Sequence, residues 1–241
     1  MGYRRVPFAP NEWHHIYSRG IDKRDIFIEE RDFLRFQALL YLTNSIKPVN
    51  FDSLKNLSRK ELFQHDRKNV LVAVGGYCLM KNHPHIIVQE KKEGGITTFM
   101  RKLGTAYNMY FNKKYDRIGN LMVKPFRSKH IADDRYLYRV IQYVHLNPVD
   151  IFEPNWKENG VEKIQQLEVE LCKYPYSSLP DYLSATQDRP ERFILDREVF
   201  DFIKTELPPI NTTLQDFLKY QQEIELEFEL KKSFGQENKN K

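Results

Sequence analysis

Residues 70–88 read Val70-Leu71-Val72-Ala73-Val74-Gly75-Gly76-Tyr77-Cys78-Leu79-Met80-Lys81-Asn82-His83-Pro84-His85-Ile86-Ile87-Val88. Val70–Val74 has the β-branched content of a strand, Gly75-Gly76 interrupts it, and a second apolar run follows through Tyr77–Met80. From His83 to Val88 the chain continues as strand. Side chains at i and i+2 of a strand share a face, which puts His83 and His85 side by side, as one divalent metal requires. Pro84 points to the other face and cannot donate to a ladder, so it predicts an edge or an irregular position. Two packing or surface histidines are the ordinary reading of such a pair. The apolar strand around this one, and a second motif downstream, weigh against that reading.

The second motif lies some sixty residues further on. Asp133 or Asp134 can cap a helix from Arg135 to Asn147, which Pro148 ends because proline disfavours helix in its predecessor. Leu137, Val140, Ile141 and Val144 form its apolar stripe. Tyr143 and Asn147, at i and i+4, share a face beside that stripe. An ordinary packed tyrosine would sit there too. Set against a histidine pair, however, these two residues can bring a nucleophile and a third ligand to one metal, as in an enzyme that cuts a DNA strand with a tyrosine.

Outward from these motifs, Trp13 to Arg19 reads as a first strand ended by Gly20, and Arg31 to Thr43 as a helix. Residues 47–69 are polar and charged, a loop or an insertion. Gly94-Gly95 breaks the chain before a helix from Ile96 to about Asn112. Ile118-Gly119-Asn120-Leu121 is a turn signal, and Phe126 to Ile131 a short strand. Strands and helices alternate irregularly, which predicts an α+β domain with helices packed on an antiparallel sheet. We divide the chain into a catalytic domain, 1–165, and a mainly helical C-terminal extension, 166–241. In the extension, Pro175, Pro180, Pro190, Pro208 and Pro209 separate short pieces. Glu223 to Leu230 alternates like a strand but is as rich in Glu as a helix.

The 241 residues, 41% of them apolar, suffice for a sizeable core. Lys and Arg exceed Asp and Glu by 38 to 33, an excess compatible with a nucleic-acid partner without requiring one. The excess is concentrated. From Arg101 to His130 eight basic residues stand against one acid, Asp116. Tyr107, Tyr110, Phe111 and Phe126 are interleaved with them, a pattern that can neutralise phosphates and stack on bases. Arg101, Lys102, Lys113, Lys114, Lys124 and Arg127 are the candidate DNA contacts. A solvated helix face with core aromatics is the bland alternative. Cys78 and Cys172 form no framework, so reduced thiols are expected. No run approaches the roughly 18 apolar residues of a membrane span. The start, MGYRRVPF, lacks the apolar core of a secretory signal. A cytoplasmic location is the expectation.

Tyr77 through Val88, followed by Gln142-Tyr143-Val144-His145-Leu146-Asn147-Pro148-Val149, resembles the IS200/IS605-type single-tyrosine transposases, and most of all the branch associated with repetitive extragenic palindromes. Supporting matches are Ser18-Arg19-Gly20, Asp25-Ile26-Phe27, Gly119-Asn120-Leu121 ahead of Pro125-Phe126-Arg127-Ser128, and Tyr176-Ser177-Ser178. The resemblance spans roughly residues 13 to 182. It implies a ferredoxin-like HUH nuclease fold with the histidine pair on a central strand, a homodimer, and a single-stranded stem-loop DNA substrate. Carried over by position, His83 and His85 become metal ligands, for Mg²⁺ or Mn²⁺, and Tyr143 the nucleophile. Asn147 takes the place of a third ligand that is often Gln in relatives. Pro84 departs from the motif, which usually has an aliphatic residue there.

Three other readings use the same residues. A rolling-circle initiator or relaxase would show wider motifs and commonly a second tyrosine, which are not seen around Tyr143. A domesticated, non-mobile DNA-binding regulator would be favoured by loss of His83, His85 or Tyr143, and all are present. A metal-dependent hydrolase without a covalent step would be indicated if Tyr143 proved dispensable.

Overall fold

A computed structural model describes residues 7–49, 54, 56–159, 161, 163–183 and 189–206. In chain order the elements are β1 (Trp13–Tyr17), α1 (Glu30–Leu42), α2 (Arg59–Phe63), β2 (Val72–Met80), β3 (His83–Glu90), α3 (Gly95–Lys114), β4 (Arg127–Ile131) and α4 (Asp134–Leu146). Short helices α5 (Val149–Phe152) and α6 (Trp156–Asn159) follow, then α7 (Ile164–Lys173), α8 (Leu179–Leu183) and α9 (Arg197–Glu206). The strands form one antiparallel sheet in the order β2-β3-β1-β4. With α1 and α3 as the two crossovers, this is the ferredoxin-like βαββαβ arrangement. The expected α+β architecture is borne out, and β3, with the histidine pair, is central.

Alternation along β1 and β3 divides the sheet into two faces. Ile16, Ile86 and Tyr77 share one, by their pairing, and Gln37 of α1 donates to the Tyr77 hydroxyl there. The other face carries His15, Tyr17, His83 and His85 and meets α4. Asp32 ties α1 to α3. Its carboxylate accepts from the backbone N–H of Ile28 and Glu29 at the start of α1, and from Tyr110, Lys114 and Tyr115 at the end of α3. Burial opposes its ionisation, but Lys114, Tyr115 and those two N–H groups outweigh burial and hold the carboxyl below its ordinary range.

The start of α3 is built around Glu90, whose buried carboxylate accepts from the N–H groups of Gly94 and Ile96. Anionic oxygens at free N–H groups are favoured there by the helix dipole. The expected Gly94-Gly95 break falls at this point. Gly94 has φ +73°, and a Cβ on Gly95 would lie 2.4 Å from the Leu71 carbonyl oxygen.

The chain's geometry decides three sequence expectations. Gly75-Gly76 does not separate two strands: β2 runs through it, with a register irregularity between Val74 and Gly76 that absorbs the mismatch. Pro148 marks the end of α4 as expected: the helix closes at Leu146 with Asn147 as its cap, and a separate short helix, α5, starts at Val149 directly after the proline. Pro84 lies on an internal strand, and of the two expected alternatives it takes the irregular position rather than an edge strand. It stands one residue beyond the last β1 pair, Tyr17 with His85, and opposite Leu79, whose N–H turns away to the Tyr176 carbonyl. No ladder bond is lost.

The outer edge of β2 is closed by the segment after α7, the region of Tyr176-Ser177-Ser178. Ser178 N–H donates to the Tyr77 carbonyl, and its hydroxyl accepts from the Tyr77 N–H. The hydroxyls of Tyr174 and Tyr182 donate to the carbonyls of Leu79 and Gly75. All nine residues of β2 are therefore buried, an exposed edge being a template for unwanted pairing. The described part of the C-terminal extension is helical and shares this core, with α9 against β2. Within 47–69, expected as a loop or an insertion, α2 forms behind a Ser58–Glu61 capping box and buries Phe63. Glu223 to Leu230 lies outside the described residues. Among those described, no helix is long and apolar enough to cross a membrane.

Candidate active site

His83 and His85 project from the same face of β3 with ring centroids 4.7 Å apart. Asp133 caps α4 by accepting from the Tyr136 N–H, which fixes where the helix begins and so which residues turn inward. Leu137, Val140, Ile141 and Val144 are fully buried, and Tyr143, 3% exposed, packs over the histidines. Its ring lies 5.6 Å from that of His85, edge-on. Two of the sequence-predicted residues on one strand and a third on a helix some sixty residues later thus meet.

A fourth participant has no motif around it. His15, on β1, sits 5.8 Å from the Tyr143 ring and stacks on His85 at 5.0 Å. Its Nε2 is 2.8 Å from His85 Nδ1. His83 Nδ1 is likewise hydrogen-bonded to the Asn82 side-chain oxygen. These partners leave the Nε2 atoms of both rings as the donor pair. His85 Nε2 is buried and has no hydrogen-bond partner among the described residues. A buried ring nitrogen left bare, beside a second imidazole whose tautomer is fixed by an outer partner, fits a divalent metal. For His85 to offer Nε2, its Nδ1–H must donate to His15, so His15 acts on the site through His85.

Burial pushes the His83 imidazole down to about 3, with the nearby Arg19 charge adding to it. His15 is also lowered to about 3 by burial, then by Lys129 and His83. His85 falls well below its ordinary value through burial, then His83, His15 and Arg19. His145, which faces away and bonds the Ser178 hydroxyl, is lowered to about 3 by burial alone. All four are therefore neutral when folded, the form that ligates a metal. Unfolded, each titrates near 6.5. The unfolded chain then binds more protons, so this stability is complete above pH 6.5 and declines as pH falls toward 3. Denaturant melts of the metal-free protein should show midpoints dropping below about pH 6.5, by up to ~1.4 kcal/mol per pH unit for each histidine. A flat profile down to pH ~4 would contradict the neutral, buried assignment.

Asn147 is buried at the end of α4, with its amide nitrogen 2.9 Å from the Tyr143 carbonyl oxygen of the preceding turn. That bond closes the helix end and leaves Oδ1 as the atom available for other work. The candidate DNA contacts divide. Arg127 lies on β4 opposite Tyr17, on the face of the histidines, and its buried Nε has no hydrogen-bond partner among the described residues. Arg101, Lys113 and Lys124 are exposed. Lys102 and Lys114 are not free cations. Lys102 donates to the carbonyls of Ser45 and Lys47, and Lys114 is locked between Glu29 and Asp32. Their intramolecular partners lie more than fifty residues away, beyond the reach of sequence pattern. Arg19 and Lys129, close enough to shift the histidines, are cations that the motifs do not single out as contacts.

The sheet thus presents paired imidazoles to a helix-borne tyrosine, two nitrogen donors and a phenol in one place. Residues 45–147 match the family model described as transposase IS200 like, and His83, His85, Tyr143 and Asn147 all fall inside the matched segment. The matched segment is less than half of the chain's length. Among solved structures, one described as a REP-associated tyrosine transposase bound to a REP hairpin is 12% identical, with a TM-score of 0.47. That match covers 79% of this chain and 90% of the other. No curated protein matches the chain in sequence.

Proposed function

We propose that this protein is a metal-dependent DNA strand transferase that cleaves and rejoins single-stranded hairpin DNA through Tyr143. The observation that carries the reading is the convergence of the His83–His85 donor pair with the Tyr143 ring. His83 and His85 would hold the cation through Nε2, with Asn147 Oδ1 as the third ligand. Mg²⁺ is favoured by supply and Mn²⁺ by its affinity for imidazole. When bound, such a cation supplies charge neutralisation at the scissile phosphate.

Tyr143 Oη attacks phosphorus, forming a phosphotyrosine bond as the P–O3′ bond breaks. The phenol proton is lost to solvent and the departing 3′ oxygen takes one up, leaving a 5′-phosphotyrosine and a free 3′-OH. One phosphodiester replaces another, so a second 3′-OH can reverse the step and join strands without ATP. The buried ring is screened from bulk water until a strand reaches it, which protects the intermediate from hydrolysis. Arg127, on the same sheet face, would hold a neighbouring phosphate, with Arg101, Lys113 and Lys124 as further contacts. A homodimer belongs to the same reading and is checked by the mass in solution.

The test uses end-labelled hairpin oligonucleotides with Mn²⁺ or with a chelator. Nicking should require both the cation and a single-stranded segment beside the stem. Binding should weaken steeply with salt, log K falling by about 0.7 per phosphate contact for each unit of log salt. Cleavage of plain duplex, or cleavage that survives the chelator, would sink the proposal.

A further inference from the structure

On the opposite face of the same strands, three more metal-ligating side chains converge. His14 on β1 is the register partner of His130 on β4, so both project away from His15 and His85. Glu12, just before β1, turns its carboxylate onto both. Oε2 lies 3.7 Å from His14 Nε2 and 3.6 Å from His130 Nε2, and the three donor atoms lie within 4.8 Å of one another. These separations are too long for hydrogen bonds. They are close to the edge of a tetrahedron, about 3.4 Å, whose ligands each sit ~2.1 Å from a central zinc.

The surroundings suit a built site. The His14 ring is buried and held edge-on by Phe8 at 4.7 Å, and Phe8 in turn stacks on Phe126. Glu12 and His130 are half-buried, which leaves room for water as a fourth ligand. Glu12 Oε2 is a buried oxygen with no hydrogen-bond partner among the described residues, and an unbonded buried carboxylate oxygen is costly unless a cation neutralises it. Two imidazoles and one carboxylate are a three-ligand zinc set.

We infer that Glu12, His14 and His130 form a second site for a divalent transition metal, Zn²⁺ by its donor set, separate from the His83–His85 centre. Such a metal clamps β4, an edge strand whose one neighbour in the sheet is β1, and so steadies the strand that carries Arg127 on its other face.

The test uses the full chain carrying His83→Ala and His85→Ala, titrated with Co²⁺ as a spectroscopic probe and then with Zn²⁺. One equivalent of Co²⁺ should bind with the intense visible bands of tetrahedral coordination, be displaced by Zn²⁺, and raise the Tm. Adding His130→Ala or Glu12→Gln should weaken binding by more than the roughly 10–100-fold that outer-shell changes cost. Glu12→Gln should do so without lowering the metal-free Tm, which separates ligand loss from misfolding. Absence of binding in the double-alanine chain would overturn the inference, as would affinity unchanged by both further substitutions.

Discussion

Tyr143→Phe should abolish strand cleavage, lowering its rate by about 10⁴ or more, as loss of a covalent nucleophile does. Binding of the hairpin should stay within about twofold, because DNA affinity comes from phosphate and stacking contacts rather than from one buried hydroxyl. The substitution is conservative for the fold. The phenyl ring keeps its packing against His15 and His85, and a lost buried hydroxyl costs only ~1 kcal/mol. Single-turnover cleavage on denaturing gels, with anisotropy for binding, separates the two quantities. A variant that still cleaves within about tenfold of the parent rate would place the nucleophile elsewhere and leave the histidines serving a hydrolytic reaction.

His85→Ala should have the next largest effect. It removes one imidazole of the donor pair, and the several kcal/mol of charge stabilisation expected from a catalytic cation correspond to a rate loss on the order of 10³. His15→Ala makes a graded comparison. His15 sets the orientation and tautomer of His85 through the 2.8 Å contact with Nδ1, so metal affinity should fall about 10–100-fold. That deficit should be recovered by raising Mn²⁺, whereas the loss in His85→Ala should not. Hairpin affinity in the presence of chelator should be unchanged in both. If His15→Ala left the Mn²⁺ dependence unaltered, His15 would be a packing residue only.

Much of this arrangement is legible in the sequence where the signal is local. The His83–Val88 strand, the α3 helix behind Gly94-Gly95, the Asp133 cap and the apolar stripe of α4 all follow from period and punctuation. Misread features have a common cause, in partners far along the chain. Gly75-Gly76 looks like a break because glycine weakens a strand, yet Ser178, Tyr182 and the neighbouring β3 hold β2 straight through it. His15 carries no spacing signal, since its place beside His85 is created by the β1–β3 pairing of residues some seventy apart. Lys102 and Lys114 read as free cations because nothing near them in sequence announces the carbonyls and carboxylates that bind them.

The similarity to a transposase family model holds for the segment that includes His83, His85, Tyr143 and Asn147, while the chemistry rests on one bond. The most direct test of it is to trap the protein on a hairpin substrate in Mn²⁺, digest the complex, and find by mass spectrometry which residue carries DNA. The expected result is a 5′-phosphotyrosine on Tyr143 and no adduct from Tyr143→Phe. DNA attached to another residue, or strands cut with no attachment at any stage, would contradict it.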